Sequence, residues 1–367
     1  MSLAGKLTFS VGWDGYRVTS VEVRSSRPQA ACLLEGKTVE EAMRLVPLLF
    51  GICGKAQTVA ARSAAQAAQN LCGDKQLMLR QRRLVALEAA QEHLWRLLVD
   101  WPNRLGLPAK QGLMMEWVKR ISISRGDDDV LALGEAMLTM IEQDVLDESL
   151  DCWAATLERA ERTPMRGLAG ASLEMLRGLE PLHSGHPVFG HFLPRQAACL
   201  WGNELQPYLD GHFAVRPLWR NAPAEAGALA LHHQIPLLAE LLRTGHAASA
   251  RYLARLVDWV SCVRLLRGEA SSTELRLDAC KLGKNAGLAC VDTARGLLLH
   301  YIEVALGQIV RYVIVAPTEW NFHPAGPFVQ TLRSLRADDA ASLYQRINIL
   351  ILAFDPCVEY EVNLHHA

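Results

Sequence analysis

Two short segments near opposite ends of the chain place the strongest demand on its fold: Gly51-Ile52-Cys53-Gly54-Lys55-Ala56-Gln57 and Phe354-Asp355-Pro356-Cys357-Val358-Glu359-Tyr360. Each carries a single cysteine. The first is followed by Val59 to Asn70, almost entirely alanine, serine and glutamine, a composition with high helix propensity and side chains small enough for close backbone approach. The pattern predicts a tightly packed helix directly after Cys53. A fold that uses both segments must bring the two ends of the chain together at its centre.

At 367 residues and half apolar, the chain can bury a sizeable core. Its 38 basic and 39 acidic residues nearly cancel and form no long run of one sign, so neither nucleic acid nor an anionic membrane surface is an expected partner. No apolar stretch approaches the ~20 residues of a bilayer-spanning helix, and Met1 to Lys6 lacks the pattern of an export signal. A cytoplasmic protein with no membrane insertion is expected. Nine cysteines without a C-X-X-C pair fit reduced thiols. Cys32, Cys72, Cys152, Cys199, Cys262, Cys280 and Cys290 sit among apolar or small neighbours and are expected to serve packing.

The order of elements reads as α+β. Lys6 to Val23 alternates around Trp13-Asp14-Gly15-Tyr16, which predicts a hairpin. Helical periodicity runs from Gln76 to Trp101, with Leu84, Leu87, Leu94 and Leu98 on one stripe, and from Val130 to Trp153. A further helix fits His246 to Arg267, with Leu253, Leu256, Val260 and Val263 inward, and ends at Gly268 to Ser272. Breaks are expected at Ser124 to Asp129, Leu182 to Pro187 and Asn221 to Gly227. Leu298 to Val304 and Ile309 to Val315 predict a second hairpin, turning at Leu306-Gly307. The expectation is one domain over 1–367, a mainly helical body over about 55–267 and β elements at about 6–23 and 298–316.

Beyond the cysteines, several segments resemble the large subunits of nickel-iron hydrogenases. The first cysteine segment is similar to that family's arginine-X-cysteine-glycine-X-cysteine run with a following histidine, and the second to its terminal aspartate-proline-cysteine-X-X-cysteine-X-X-histidine. Leu3-Ala4-Gly5-Lys6-Leu7 resembles the family's opening valine-glutamate-glycine-histidine-leucine. Pro223 to Ala230 resembles its proline-X-glutamate-threonine-glycine-alanine-leucine-alanine segment. Thr293-Ala294-Arg295-Gly296 and Ala316-Pro317-Thr318-Glu319-Trp320-Asn321 are similar to its alanine-proline-arginine-glycine and proline-threonine-threonine-tryptophan-asparagine signatures. The resemblance implies a hydrogenase-large-subunit-like core in which Cys53 and Cys357 are metal ligands. It also implies that Arg295, Pro317 and Thr318 line a pocket for cyanide and carbon monoxide bound to iron. Glu225 and His323 are expected just behind that lining. A bound cyanide presents a negative nitrogen that must find a guanidinium or hydroxyl donor in an apolar cavity, whereas carbon monoxide needs only an apolar wall.

Each cysteine motif has kept one cysteine and lost the other. With Gly51-Ile52-Cys53 aligned to the family's glycine-isoleucine-cysteine, Phe50 stands at the first cysteine, Leu48 at the arginine and Gln57 at the histidine, and Thr58 to Ala61 also fall into place. The alternative register makes Cys53 the first cysteine and Ala56 the second. In the terminal motif Tyr360 replaces the second cysteine and Asn363 the histidine. With Ala4 and Lys6 at the opening glutamate and histidine, the family's structural magnesium site looks dismantled. The end at Ala367 is expected to leave no tail for a maturation protease. Nickel chemistry in this family needs four soft thiolates, so no nickel and no catalysis are expected.

This loss pattern resembles the HupK/HoxV-type accessory proteins. The resemblance implies a non-catalytic scaffold that transiently holds an Fe(CN)2(CO) fragment. Its expected partners are the maturation proteins that build or deliver the fragment and the hydrogenase large-subunit precursor. Two other readings remain: a metal-free chaperone or decoy of the large subunit, and a redox enzyme with mononuclear iron. Three histidine sites carry lesser expectations: His232-His233 as a polar helix start, Glu92-His93 as a solvent-facing or capping pair, and His365-His366 as a frayed terminus.

Overall fold

The computed structural model describes residues 5–51, 53–71, 74–124, 126–159, 164–180, 190–269 and 276–366. The expected break at Leu182 to Pro187, the packing of Cys72, the position of Ala4 and the loop from Ala270 to Ser272 lie outside the described residues. Strands β1 (Lys6–Trp13) and β2 (Val18–Ser25) form the expected hairpin. Its turn is held by the Asp14 carboxylate, which accepts the N–H groups of Tyr16 and Arg17 at 3.0 and 2.9 Å. Alternate residues Leu7, Phe9 and Val11 are buried, as a one-sided sheet requires.

A second sheet runs β3 (Leu277–Leu282), β4 (Ala286–Thr293), β5 (Gly296–Ala305) and β6 (Gln308–Val315), each antiparallel to the next. The β5–β6 hairpin turns at Leu306 and Gly307, both at positive φ, as a tight two-residue turn demands. Sequence periodicity finds this hairpin but not β3 and β4. All eight residues of β4 are buried, so no polar alternation marks it.

The remaining strand corrects the expectation of a frayed terminus. The last strand, β7 (Glu359–His366), pairs in parallel with β1, from Lys6 opposite Glu359 to Trp13 opposite His366. His365 and His366 therefore sit in a sheet. This pairing joins the two ends of the chain and fixes Cys357 two residues before the strand.

The helix Gly54–Ala68 lies on β4 and β5. It packs closely because nothing projects between them: a Cβ at Gly287 would sit 2.1 Å from the Ala64 carbonyl oxygen. The tightly packed helix expected after Cys53 is present. The long pattern from Gln76 divides into the helix Lys75–Trp95, a π-helical turn Arg96–Asp100 and a short helix Trp101–Leu105. Leu87, Leu94 and Leu98 are buried there, but Leu84 is exposed. The pattern expected from Val130 to Trp153 is broken. Helix Asp127–Met140 runs into a π turn, stops at Asp147 in the left-handed region, and a new helix Leu150–Leu157 starts with the Ser149 hydroxyl accepting the Cys152 N–H. Ala247–Leu266 is buried almost all round at the centre of the helical body. Of the cysteines expected to pack, Cys262 and Cys290 are buried and Cys280 is half-buried. Cys32, Cys152 and Cys199 are exposed, contrary to expectation: Cys152 and Cys199 fall on the solvent faces of the helices Leu150–Leu157 and Ala198–Leu205, and Cys32 on the short helical turn Ala30–Leu34.

At Gly296, φ is +126°, and an added Cβ would lie 2.5 Å from the Gly227 nitrogen. Gly296→Ala should therefore destabilise the fold by about 1–3 kcal/mol from backbone strain, with a further loss from the clash. Gly15→Ala, also at positive φ but facing open space, should show only the conformational part. Urea denaturation of the two variants checks the difference.

Candidate two-thiol site

Cys53 occupies the N-cap position of the Gly54–Ala68 helix. Its neighbours inside that helix are satisfied from outside: the Glu88 carboxylate, on the Lys75–Trp95 helix, accepts the N–H groups of Lys55 and Ala56 at 2.9 and 2.8 Å. Cys357 follows the end of the helix Ala340–Phe354, where Asp355 turns the chain at φ +53° and Pro356 prevents continuation. The two thiols are close enough for Cys357 to act on the charge of Cys53. Burial first and then Cys357 push the Cys53 thiol up to about 11, with Glu88 adding to the effect; Gln57 and Arg295 pull only weakly the other way.

Each sulfur has a protein neighbour. The Gln57 amide N–H points at Cys53 Sγ from 3.6 Å, and the Thr318 hydroxyl lies 3.1 Å from Cys357 Sγ. Gln57 is itself oriented. His300 Nε2 donates to the Gln57 carbonyl at 2.8 Å, and the Tyr312 hydroxyl donates to His300 Nδ1 at 2.9 Å. Burial lowers His300 to about 3, so the imidazole is neutral and its Nε2 hydrogen fixes which face of the Gln57 amide turns to the sulfur.

Arg295 is buried beside the thiols and pairs with Glu92 at 2.8 Å and Asp355 at 3.4 Å. Burial opposes its charge, but Asp355, Glu92 and Cys357 hold it above its ordinary range. Asp355 is the hub. Arg96 reaches it at 2.6 Å and Arg255 at 3.1 Å, so three guanidinium groups surround one buried carboxylate. Burial alone would raise Asp355; the three arginines drive it well below the usual carboxylate range. The Nε atoms of Arg96, Arg255 and Arg295 make no hydrogen bond, although Arg295 Nε faces Asp355 at 3.4 Å. Sequence reading found Arg295 but missed Arg96, Arg255 and the anchoring role of Asp355. Arg96 and Arg255 stand within ordinary helical patterns, and only the fold brings them together.

Three motif segments lock together behind Arg295. Asn321 Oδ1 accepts the Ala226 N–H at 2.8 Å, while its amide donates to the Arg295 carbonyl at 3.4 Å. Glu225, next to Ala226, is buried and held by Arg251 at 2.9 and 2.6 Å. Pro317 and Thr318 open the short helix Pro317–Asn321, both buried. His323 is half-buried and accepts the Ala325 N–H of its own loop at 3.1 Å; that contact gives it no link to either sulfur.

Two other expectations change. His93 is fully buried, not solvent-facing: its Nε2 lies 2.8 Å from Asp258, while Glu92 pairs with Arg295. His232 ends the helix Ala228–His232 rather than starting one, 3.4 Å from Asp258. Among the described residues, His93, Asp258 and Cys262 form a group of metal-capable side chains with ligand atoms within 4.8 Å of one another. Arg276 already sits 2.6 Å from Asp258, and a guanidinium there occupies the place and charge of a cation.

The fold and the motif positions match known proteins. The chain is 30% identical to the hydrogenase expression/formation protein HoxV of Cupriavidus necator, covering 99% of this chain and 96% of that one. It is also 30% identical to HupK of Rhizobium leguminosarum bv. viciae, over 99% and 98%. The chain belongs to the HoxV/HupK family of hydrogenase expression/formation proteins. Residues 250–362 match the family model for nickel-dependent hydrogenase. A reduced, active nickel-iron-selenium hydrogenase from Desulfomicrobium baculatum superimposes with a TM-score of 0.60 at 16% identity, over 95% of each chain, which shows the hydrogenase large-subunit fold. Of the residues expected at the two lost cysteines, Phe50 packs partly buried among the residues around Val46 and Val59, and Tyr360 donates to Asn348 at 3.3 Å. Neither offers a soft donor. Lys6, at the position of the opening histidine, pairs with Glu361. No helix among the described residues is long and apolar enough to cross a membrane.

Asp355→Asn removes the one anion shared by Arg96, Arg255 and Arg295. Leaving buried guanidinium groups unpaired should cost about 3–5 kcal/mol of stability, measurable by chemical denaturation. A second expectation concerns reactivity. With its thiol near 11, Cys53 should react with iodoacetamide about tenfold faster per pH unit from pH 7 to pH 10, followed by peptide mass spectrometry.

Proposed function

We propose that this chain is a non-catalytic assembly scaffold that binds the Fe(CN)2(CO) fragment at Cys53 and Cys357 and passes it to a hydrogenase large subunit during maturation. The observation that carries the reading is a buried guanidinium, Arg295, within the electrostatic reach of Cys53 and a hydroxyl, Thr318, that already touches Cys357. Cyanide ligands on a low-spin iron need donors of this kind in a buried, low-dielectric setting. Family membership in hydrogenase expression/formation supports the maturation role.

Chemistry explains why two thiols suit a scaffold. Both must lose protons to coordinate the fragment, and Cys53 gives up its proton reluctantly, so protonation favours release. An acceptor with more thiolates then holds the same fragment more firmly. Nickel has no place in this account, because Phe50 and Tyr360 remove two of the four soft ligands it needs. The contact between Gln57 and Cys53 supports the register that sets Gln57 at the family's histidine.

Infrared spectroscopy of protein purified from cells making hydrogenase should show one carbonyl and two cyanide bands. Cys53→Ser and Cys357→Ser should each abolish them, and Thr318→Val should shift a cyanide band and weaken iron retention about tenfold. Bands that persist unchanged in both cysteine variants would overturn the assignment. Iron-free protein that still supports hydrogenase formation with both cysteines replaced would favour a metal-free chaperone.

A further inference from the structure

The thiol pair has a second basic flank. Arg27 lies on the segment leaving β2, and its Nη1 donates to Glu319 at 3.0 Å. Glu319 is the neighbour of Thr318, the residue in contact with Cys357, and stands where the related signature carries a threonine. Arg27 and Glu319 line a cavity of about 370 Å³ together with Phe50 and Gln57, and Gln57 is the residue in contact with Cys53. Arg27 is thus bonded to the neighbour of one sulfur's partner and shares a cavity with the partner of the other. Cys357 instead borders a separate cleft of about 1130 Å³ with Asp355 and Arg96. The placement of Arg27 is enforced by backbone. A Cβ on Gly5, at φ +74°, would lie 2.6 Å from the Arg27 Cα, and the Ser26 N–H donates to the Lys6 carbonyl at 2.9 Å.

We propose that Arg27 is an anion-holding residue of the two-thiol site, taking the negative end of a small linear ligand such as metal-bound cyanide. This deepens the reading of the site as a seat for a cyanide-bearing fragment and rests on it. A guanidinium carries five N–H groups, and Glu319 takes one at Nη1. The rest suit an acceptor approaching from the sulfurs. Glu319 holds the fork in place while tempering its charge, which lets the anion leave. Burial works against the charge of Arg27, but Cys357, Glu319 and Cys53 outweigh it, so both thiol positions lie within its field.

The test uses cargo-free, full-length protein, which separates it from the infrared experiment. Alkylation of Cys53 and Cys357 is followed at one pH with two reagents of similar size, neutral iodoacetamide and anionic iodoacetate. The ratio of their rates reports the local field, while changes in thiol acidity or access affect both reagents and largely cancel. Arg27→Gln should lower the iodoacetate-to-iodoacetamide ratio at one or both cysteines about threefold or more, and Arg27→Lys should restore part of it. Glu319→Gln, which keeps Arg27, should raise the ratio. Thiocyanate should slow iodoacetate in the native protein and do so less in Arg27→Gln. Ratios unchanged in both Arg27→Gln and Glu319→Gln would overturn the proposal, whatever infrared bands the loaded protein shows.

Discussion

The site depends on one buried ionic hub, the Asp355 carboxylate among Arg96, Arg255 and Arg295. Burying four charges is expensive, and the arrangement persists only because each arginine comes from an element fixed for other reasons. Arg96 begins the π turn after the Lys75–Trp95 helix, Arg255 lies on the buried Ala247–Leu266 helix, and Arg295 is at the β4–β5 turn. Asp355 ends the helix that delivers Cys357. The hub therefore ties the terminal cysteine to the helical body and the second sheet at once, and an error in any of these elements would leave a buried charge alone.

How the second thiol meets the first follows from the sheets. β7 runs parallel to β1, which holds the segment after Cys357 against the first strand, while the Gly54–Ala68 helix is pressed on β4 and β5 by small residues and Gly287. Arg295 stands at the turn between those same strands. Parallel pairing of the chain's two ends requires almost the whole sequence as a crossover, so it forms only once the body between has folded. The two-thiol site is in this sense a product of long-range contacts, assembled from segments far apart in sequence.

Local sequence shows those parts and hides their union. The β1–β2 hairpin, the small-residue helix after Cys53, the long central helix and the β5–β6 hairpin are all written in periodicity and turn residues. β4 is not, because burial on both faces erases alternation, and β7 is not, because Glu359, Glu361 and the two histidines read as polar chain until β1 gives them a partner. The long pattern near Val130 misled for a related reason: a π turn and Asp147 interrupt it without a proline or glycine to mark the break. At the site, residues inside motifs that resemble the hydrogenase large subunit were legible, Cys53, Cys357, Arg295, Pro317 and Thr318 among them. Those outside, Arg96, Arg255 and Arg27, carried no local signal, since an arginine on a helix or a loop looks the same whether it meets water or a buried anion. His93 shows the reverse error: an ordinary helical histidine by pattern, it is fully buried against Asp258.

The charge balance of the pocket bears on how a cargo could both stay and go. Around the thiols the arginines are paired with Asp355, Glu92, Asp100 and Glu319, so the buried charges there nearly cancel. On the scaffold reading proposed above, a cyanide-bearing ligand would meet a site whose ion pairs are already formed. Retention then falls to the two sulfurs, and Cys53 holds its own proton tightly enough to compete with a metal. A pocket with four thiolates would win that competition outright. On the proposed reading, Phe50 and Tyr360 in place of the missing pair would leave that balance close, the condition for transfer rather than storage.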